Sequence, residues 1–325
     1  MYVKPTQDYW HGRIDDPTDR RSFRFHQMIK LANLDQLIEK GKTDRKAFAF
    51  LGFQCDEGVR RNKGRTGAKQ GPIAIRKALS SLPWHFDEQT DVFDVGDVVC
   101  EKKEMEQAQA ELGDAVHTLL RNNVQPMILG GGHETLYGHY LGVRKTLGPS
   151  AKLGIINIDA HFDMRSYDVE TSSGTMFKQI LDHDDKCGYF CVGIQKLGNT
   201  ALLFDLADEH HVQYVYDEEV NDNEITTTFK KLDAFIDRYD QILLTLCTDS
   251  INSAFAPGVS APTPFGLEPK TVRQLLRHIQ SHEKTKSFDL CEVNPSLDEH
   301  NKTAKLAAQF IADTMMHVEQ REKQY

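Results

Sequence analysis

The chain has 325 residues, 39% of them hydrophobic, which is enough for one large core. A formal net charge of −9 argues against a protein that works by neutralising a nucleic-acid backbone. No apolar run approaches the roughly 18 to 20 residues that span a bilayer, and the N-terminal MYVKPTQDYWHGR lacks the apolar stretch of a secretion signal. A soluble, cytoplasmic protein is expected, with no nucleic-acid or membrane partner. The six cysteines, at positions 55, 100, 187, 191, 247 and 291, are too sparse for a disulfide framework and fit thiols kept reduced.

The first 40 residues carry weak periodicity and read as an N-terminal extension. From about Ala47 onward, short apolar runs alternate with amphipathic helical stretches, and no Pro/Ser/Gly-rich linker divides them. Residues 41–325 therefore read as a single α/β domain. Strands are expected at AFAFLGF from Ala47, VFDVGDV from Val92, PMILGG from Pro126 and LGIINID from Leu153. Four more follow: YFCVGI from Tyr189, QYVYD from Gln213, QILLTLC from Gln241 and SFDLCEV from Ser287. Met105, Ala108, Leu112, Ala115 and Leu119 recur at steps of three and four, the spacing of one apolar helix face. Several strands are apolar at nearly every position, as when helices cover both faces of a parallel sheet. The fold class is thus α/β, a three-layer α/β/α sandwich around a mainly parallel sheet of about eight strands. A last helix is expected from Asn301 to about Val318, followed by a solvated tail, EQREKQY.

In a parallel α/β sheet, ligands bind beyond the carboxyl ends of the strands. Four such ends carry metal-ligand residue types. Asp159, His161 and Asp163 stand at alternate positions, so they share one face of an extended segment. Gly132-His133-Glu134 delivers a histidine from a glycine turn, Cys247 and Asp249 alternate after another strand, and Glu292 follows a fourth. Singly, each has an ordinary explanation: a helix cap for the aspartates, turn geometry or a phosphate site for the glycines, a small buried hydrophobe for Cys247, a lysine partner for Glu292. Convergence of four strand ends on one rim favours a metal site. The remaining histidines, among them His26, His117 and His139, lack this context and read as surface or packing residues. The basic stretch Arg60-Arg61-Asn62-Lys63-Gly64-Arg65 reads either as a solvated loop or as one that binds an anionic small molecule, since arginine presents a fork matched to carboxylates.

These residues resemble the arginase (ureohydrolase) family. Its marks stand here as Gly131-Gly132-His133, Asp159-Ala160-His161-Phe162-Asp163 and the segment Thr245 to Ser253, in which Cys247 takes the place of the first family aspartate. Longer stretches, GFQCDEGVRRNKGRTGAKQGP from Gly52, SSGTMF from Ser172, SAFAPGVSAP from Ser253 and EVNPSLD from Glu292, are most similar to members that cleave N-formimidoyl-L-glutamate to L-glutamate and formamide in histidine degradation. The resemblance implies a hydrolase with two Mn²⁺ per subunit and a metal-bridging hydroxide. One ion is held by His133, Asp159, Asp163 and Cys247, the other by Asp159, His161, Cys247 and Asp249. It also implies that Glu292 binds the substrate amidinium, while Asp163 is suited to pass a proton to the departing amine. Arg165, Arg61 and Arg65 with Asn62 are candidates for the substrate carboxylates. Sulfur at Cys247 should weaken manganese relative to zinc or iron. Cys55, also just past a strand, is close enough in pattern to suggest an oxidative pairing with Cys247. Two alternatives stay open: a ureohydrolase acting on agmatine or arginine, and a non-catalytic binding protein on the same fold. The sequence leaves the oligomeric state open, a homo-oligomer included.

Overall fold

Side chains alternate across a strand, so a strand apolar at every position must be covered on both faces. Residues 47–53 are all buried in this way: Phe48 and Phe50 enter one core, while Ala47, Ala49, Leu51 and Phe53 enter another. The computed structural model describes residues 1–43, 45–101, 104–221 and 225–322. Among these the strands are β1 (Tyr2–Val3), β2 (Lys30–Leu31), β3 (Lys46–Gln54), β4 (Thr90–Val99), β5 (Gln125–Leu129), β6 (Leu153–Ile158), β7 (Cys187–Ile194), β8 (Gln213–Tyr216), β9 (Gln241–Cys247) and β10 (Thr285–Cys291). The helices are α1 (Phe25–Met28), α2 (Leu34–Lys40), α3 (Glu57–Arg61), α4 (Gly71–Ser80), α5 (Met105–Arg121), α6 (Thr135–Leu147), α7 (Met176–His183), α8 (Ala201–Glu209), α9 (Ile225–Ile236), α10 (Pro269–Gln280) and α11 (Lys302–Glu322).

The sheet runs β1-β4-β3-β5-β10-β9-β6-β7-β8, with β2 also on β4; β3 to β10 pair in parallel and β1 is antiparallel. All eight expected strands are present, and the architecture is the expected α/β/α sandwich. Helices α5 to α8 pack on one face of the sheet, while α4, α9, α10 and α11 pack on the other. Met105, Ala108, Leu112, Ala115 and Leu119 form the buried face of α5, as their spacing predicts.

Two regions differ from the sequence reading. The first 40 residues add β1 and β2 to the sheet, and Trp10 stacks on Phe50 with ring centroids 5.8 Å apart. The C-terminal helix continues past Val318 to Glu322, because Glu319 is buried and accepts hydrogen bonds from the Asp87 backbone at 2.9 Å and Thr90 Oγ1 at 2.7 Å. The rest of the tail, residues 323–325, lies outside the described residues. No helix among the described residues is long and apolar enough to cross a membrane.

One buried ion cluster ties the N-terminal segment to the sheet. Arg76, fully buried on α4, donates to both oxygens of Asp94 at 2.9 Å, to Asp97 at 2.7 Å and to the Gly96 carbonyl at 2.8 Å. Trp10 Nε1 donates to the same Asp94 at 2.8 Å. Arg76→Leu leaves two buried carboxylates without their counter-charge and is expected to destabilise the fold by about 3–5 kcal/mol. Equilibrium urea unfolding measures this; a loss below about 1 kcal/mol would show that the cluster is not a pillar of the fold.

Candidate metal centre

Sheet order decides which strand ends meet. The strands β5, β10, β9 and β6 are consecutive neighbours at the middle of the sheet, and the four motifs singled out in the sequence are the residues that follow them. The helices after β5 and β6 cover one face, those after β9 and β10 the other. The chain thus leaves the sheet in opposite directions, and a crevice opens at the carboxyl ends.

Local backbone geometry aims the side chains into this crevice. A Cβ on Gly131 would sit 1.8 Å from the Cys55 carbonyl oxygen, so the turn before His133 requires glycine there. Asp163 (φ 51°) and Glu292 (φ 70°) occupy the left-handed region, an uncommon conformation for residues with a Cβ, and both line the cavity. Asn199 braces the segment around His161: its Oδ1 accepts from the Phe162 backbone at 3.0 Å and its Nδ2 donates to the Ala160 carbonyl at 2.9 Å.

The resulting cavity, open to solvent, is lined by Asn62, His133, His161, Asp163, Arg165, Cys247, Asp249 and Glu292. Asp159 lies fully buried at its base. His133 Nδ1 stands 3.1 Å from Asp159 Oδ2 and 2.9 Å from Asp163 Oδ2. His161 Nδ1 stands 3.5 Å from Asp159 Oδ1 and 3.4 Å from Asp249 Oδ2. Two triads result, His133–Asp159–Cys247 and Asp159–His161–Asp249, each with its ligating atoms within 4.8 Å of one another. Asp159 belongs to both, and Cys247 joins the first only.

Electrostatics agree with a cation site. Burial opposes charge on His133, yet hydrogen bonds and charge from Asp159 and Asp163 outweigh it and hold the imidazole well above its ordinary pKa. His161 is raised likewise against burial by Asp249 and Asp159. Burial would raise Asp159, but the two histidines keep it below the usual carboxylate range. Asp163 is raised by burial and by the charge of Asp159. Burial, then the charges of Asp159, Asp249 and Glu292, push the Cys247 thiol well up. A dication bound here would displace protons from the histidines and would make a ligating thiol a thiolate. Two buried oxygens, Asp249 Oδ1 and Glu292 Oε2, have no protein partner and remain to bind something else.

Not every expected residue arrives. Arg61 faces Glu57, Glu106 and Glu170 rather than the cavity. Arg65 donates to the carbonyls of Val259 and Ser260 at 3.0 and 2.7 Å, fixing its loop to the wall. Of the basic stretch, Asn62 reaches the cavity, and its Oδ1 accepts from Arg165 at 3.4 Å. Cys55 lies beside Cys100 on a different cleft from Cys247.

Sequence reading also missed a buried relay behind His133. His133 Nε2 lies 3.1 Å from Thr245 Oγ1, which donates to Asp289 Oδ1 at 2.6 Å, and His139 Nδ1 lies 2.6 Å from Asp289 Oδ2. His139 is fully buried, so it is no surface residue. The available signal was Asp289 itself, an acid between Phe288 and Leu290 in the buried part of β10 and in register with Thr245.

Such a sheet, with imidazoles, carboxylates and a thiol gathered at its central carboxyl rim, defines an α/β protein with a candidate cation centre at that rim. The arginase family pattern matches residues 46–317, and the chain belongs to the arginase family. A formimidoylglutamase of Geobacillus sp. (strain WCH70) is 52% identical over 323 residues, covering 99% of this chain and 98% of that one. The formimidoylglutamase structure from Bacillus subtilis subsp. subtilis str. 168 superposes with a TM-score of 0.81 over 95% of this chain and 96% of its own, at 20% identity. A Trypanosoma cruzi formiminoglutamase with Mn²⁺ superposes at 0.76 over 89% and 98%, at 23% identity. At such identities the two superpositions speak for the fold.

Partners that orient a ligating histidine typically contribute 10–100-fold to metal affinity. Thr245→Val is therefore expected to weaken divalent-cation binding by about tenfold or more while leaving the far-UV circular dichroism unchanged. Equal affinity in titration calorimetry would show that the relay does not orient His133.

Proposed function

We propose that the chain hydrolyses N-formimidoyl-L-glutamate to L-glutamate and formamide at a centre of two Mn²⁺-class cations. The observation that carries this reading is the pair of triads sharing Asp159 at the base of one cavity. It is supported by the formimidoylglutamase relative at 52% identity across nearly the whole chain and by the Mn²⁺ in a structural neighbour.

In this reading His133, Asp159 and Cys247, with Asp163 alongside, hold one ion, and Asp159, His161 and Asp249 hold the other. Two such ions supply Lewis acidity and bring the ionisation of water into the neutral range, which an amidine carbon, a poor electrophile, requires. Glu292 is held in place by the His133 backbone N–H, which donates to its Oε1 at 2.9 Å, leaving Oε2 to accept an N–H of the amidinium. Asp163, partly exposed beside His133, is placed to carry a proton to the departing amine. Arg165, exposed at the cavity and next to Asn62, supplies positive charge for a substrate carboxylate. Phe177 stacks on Tyr189 with centroids 3.7 Å apart and meets the His133 ring edge-on at 6.2 Å, so it packs behind the centre instead of offering a polar group to it.

The test is product analysis with reduced, Mn²⁺-loaded protein. Formamide and glutamate are expected from N-formimidoyl-L-glutamate; urea release from agmatine or arginine, with no formamide, would overturn the assignment. Asp159→Asn is expected to abolish turnover and to remove the rise in melting temperature on adding Mn²⁺. Arg165→Ala should raise KM about tenfold with little change in kcat, the signature of lost uniform binding. An unchanged KM would exclude Arg165 as the carboxylate contact.

A further inference from the structure

A second group of metal-ligating side chains lies away from the cavity. Asp233 belongs to α9, His278 to the last turn of α10, and His282 follows just beyond that helix. Each helix ends where the chain turns back into the amino end of a strand, β9 or β10, so this group sits at the edge of the sheet opposite the crevice. His278 and His282 are four residues apart across the end of α10, and both imidazoles turn toward Asp233 on α9.

Their geometry converges on a point. Asp233 Oδ1 lies 2.7 Å from His278 Nε2 and 2.9 Å from His282 Nε2. The three ligating atoms fall within 4.8 Å of one another, as in the triads of the cavity. His278 is pinned by a parallel stack on Phe229, centroids 4.0 Å apart and planes within 6°, and His282 meets it edge-on at 5.5 Å. Two imidazoles thus arrive already oriented on a shared carboxylate oxygen, and all three side chains are only partly buried, with room for water to complete a coordination shell.

We propose that Asp233, His278 and His282 bind one divalent cation of the zinc class, clamping α9 to α10. Two nitrogen ligands and one carboxylate suit Zn²⁺, Co²⁺ or Ni²⁺, whereas Mg²⁺ and Ca²⁺ favour all-oxygen shells. On entry of the ion each imidazole binds through Nε2 and keeps its remaining proton at Nδ1, so any Nε2 proton is released to solvent. The site is independent of the catalytic reading, since it shares no residue with the cavity.

Equilibrium dialysis of Mn²⁺-loaded protein against Zn²⁺, followed by metal analysis, counts the equivalents bound. The wild type is expected to bind one equivalent more than the His278→Gln/His282→Gln double variant, and equal stoichiometry would overturn the proposal. Asp233→Asn removes a partly exposed carboxylate without disturbing the histidine stack, and should weaken this equivalent at least tenfold. A crystal grown with Zn²⁺ should show anomalous scattering between the three side chains; its absence there, with zinc found only in the cavity, would equally refute the site.

Discussion

Asp159 carries its charge at the base of the cavity with no exposure to solvent, and such a charge persists only where positive charge and hydrogen bonds compensate it. His133 approaches one of its oxygens and His161 the other, while the Asn157 side chain donates to Oδ2 at 3.1 Å and the His161 backbone donates to Oδ1 at 2.9 Å. Both oxygens are therefore fixed in direction. In the proposed reading Asp159 would be the ligand shared by both ions. The surrounding acids add negative charge that two histidines alone do not neutralise. The remaining negative charge is what the proposed cations would balance, and the arrangement follows from one compensated carboxylate.

That compensation is possible only because of the sheet. The partners of Asp159 come from the ends of β5, β6 and β9, and Glu292 comes from β10, which lies between β5 and β9. Strands adjacent in space are far apart in sequence: β9 and β10 lie between β5 and β6. The same arrangement puts Thr245 opposite Asp289 and so builds the relay that reaches His133 from behind. Packing of the two helical layers and orientation of the ligands are consequences of a single strand order.

Much of this was legible from residue order. Continuous apolar runs such as AFAFLGF identify buried parallel strands, and alternation of Asp159, His161 and Asp163 at a strand end identifies a ligating face. Residues whose role depends on a neighbour distant in sequence were harder to read. Arg61 and Arg65 looked like carboxylate clamps in a basic loop, but Arg61 is claimed by glutamates on three separate segments and Arg65 by backbone carbonyls of residues 259 and 260. His139 had no ligand spacing and became interpretable only beside Asp289. The weak periodicity of the first residues concealed Trp10, whose indole is held by an aspartate of β4.

The backbone of His133 donates to Glu292 across 159 positions of the chain. Closing so long a loop costs chain entropy that the buried contacts of the rim must offset. A truncated polypeptide ending before residue 285 keeps every residue of the two triads and yet lacks β10, the strand that stands between β5 and β9. The register of the two triads thus rests on a strand that supplies none of their residues.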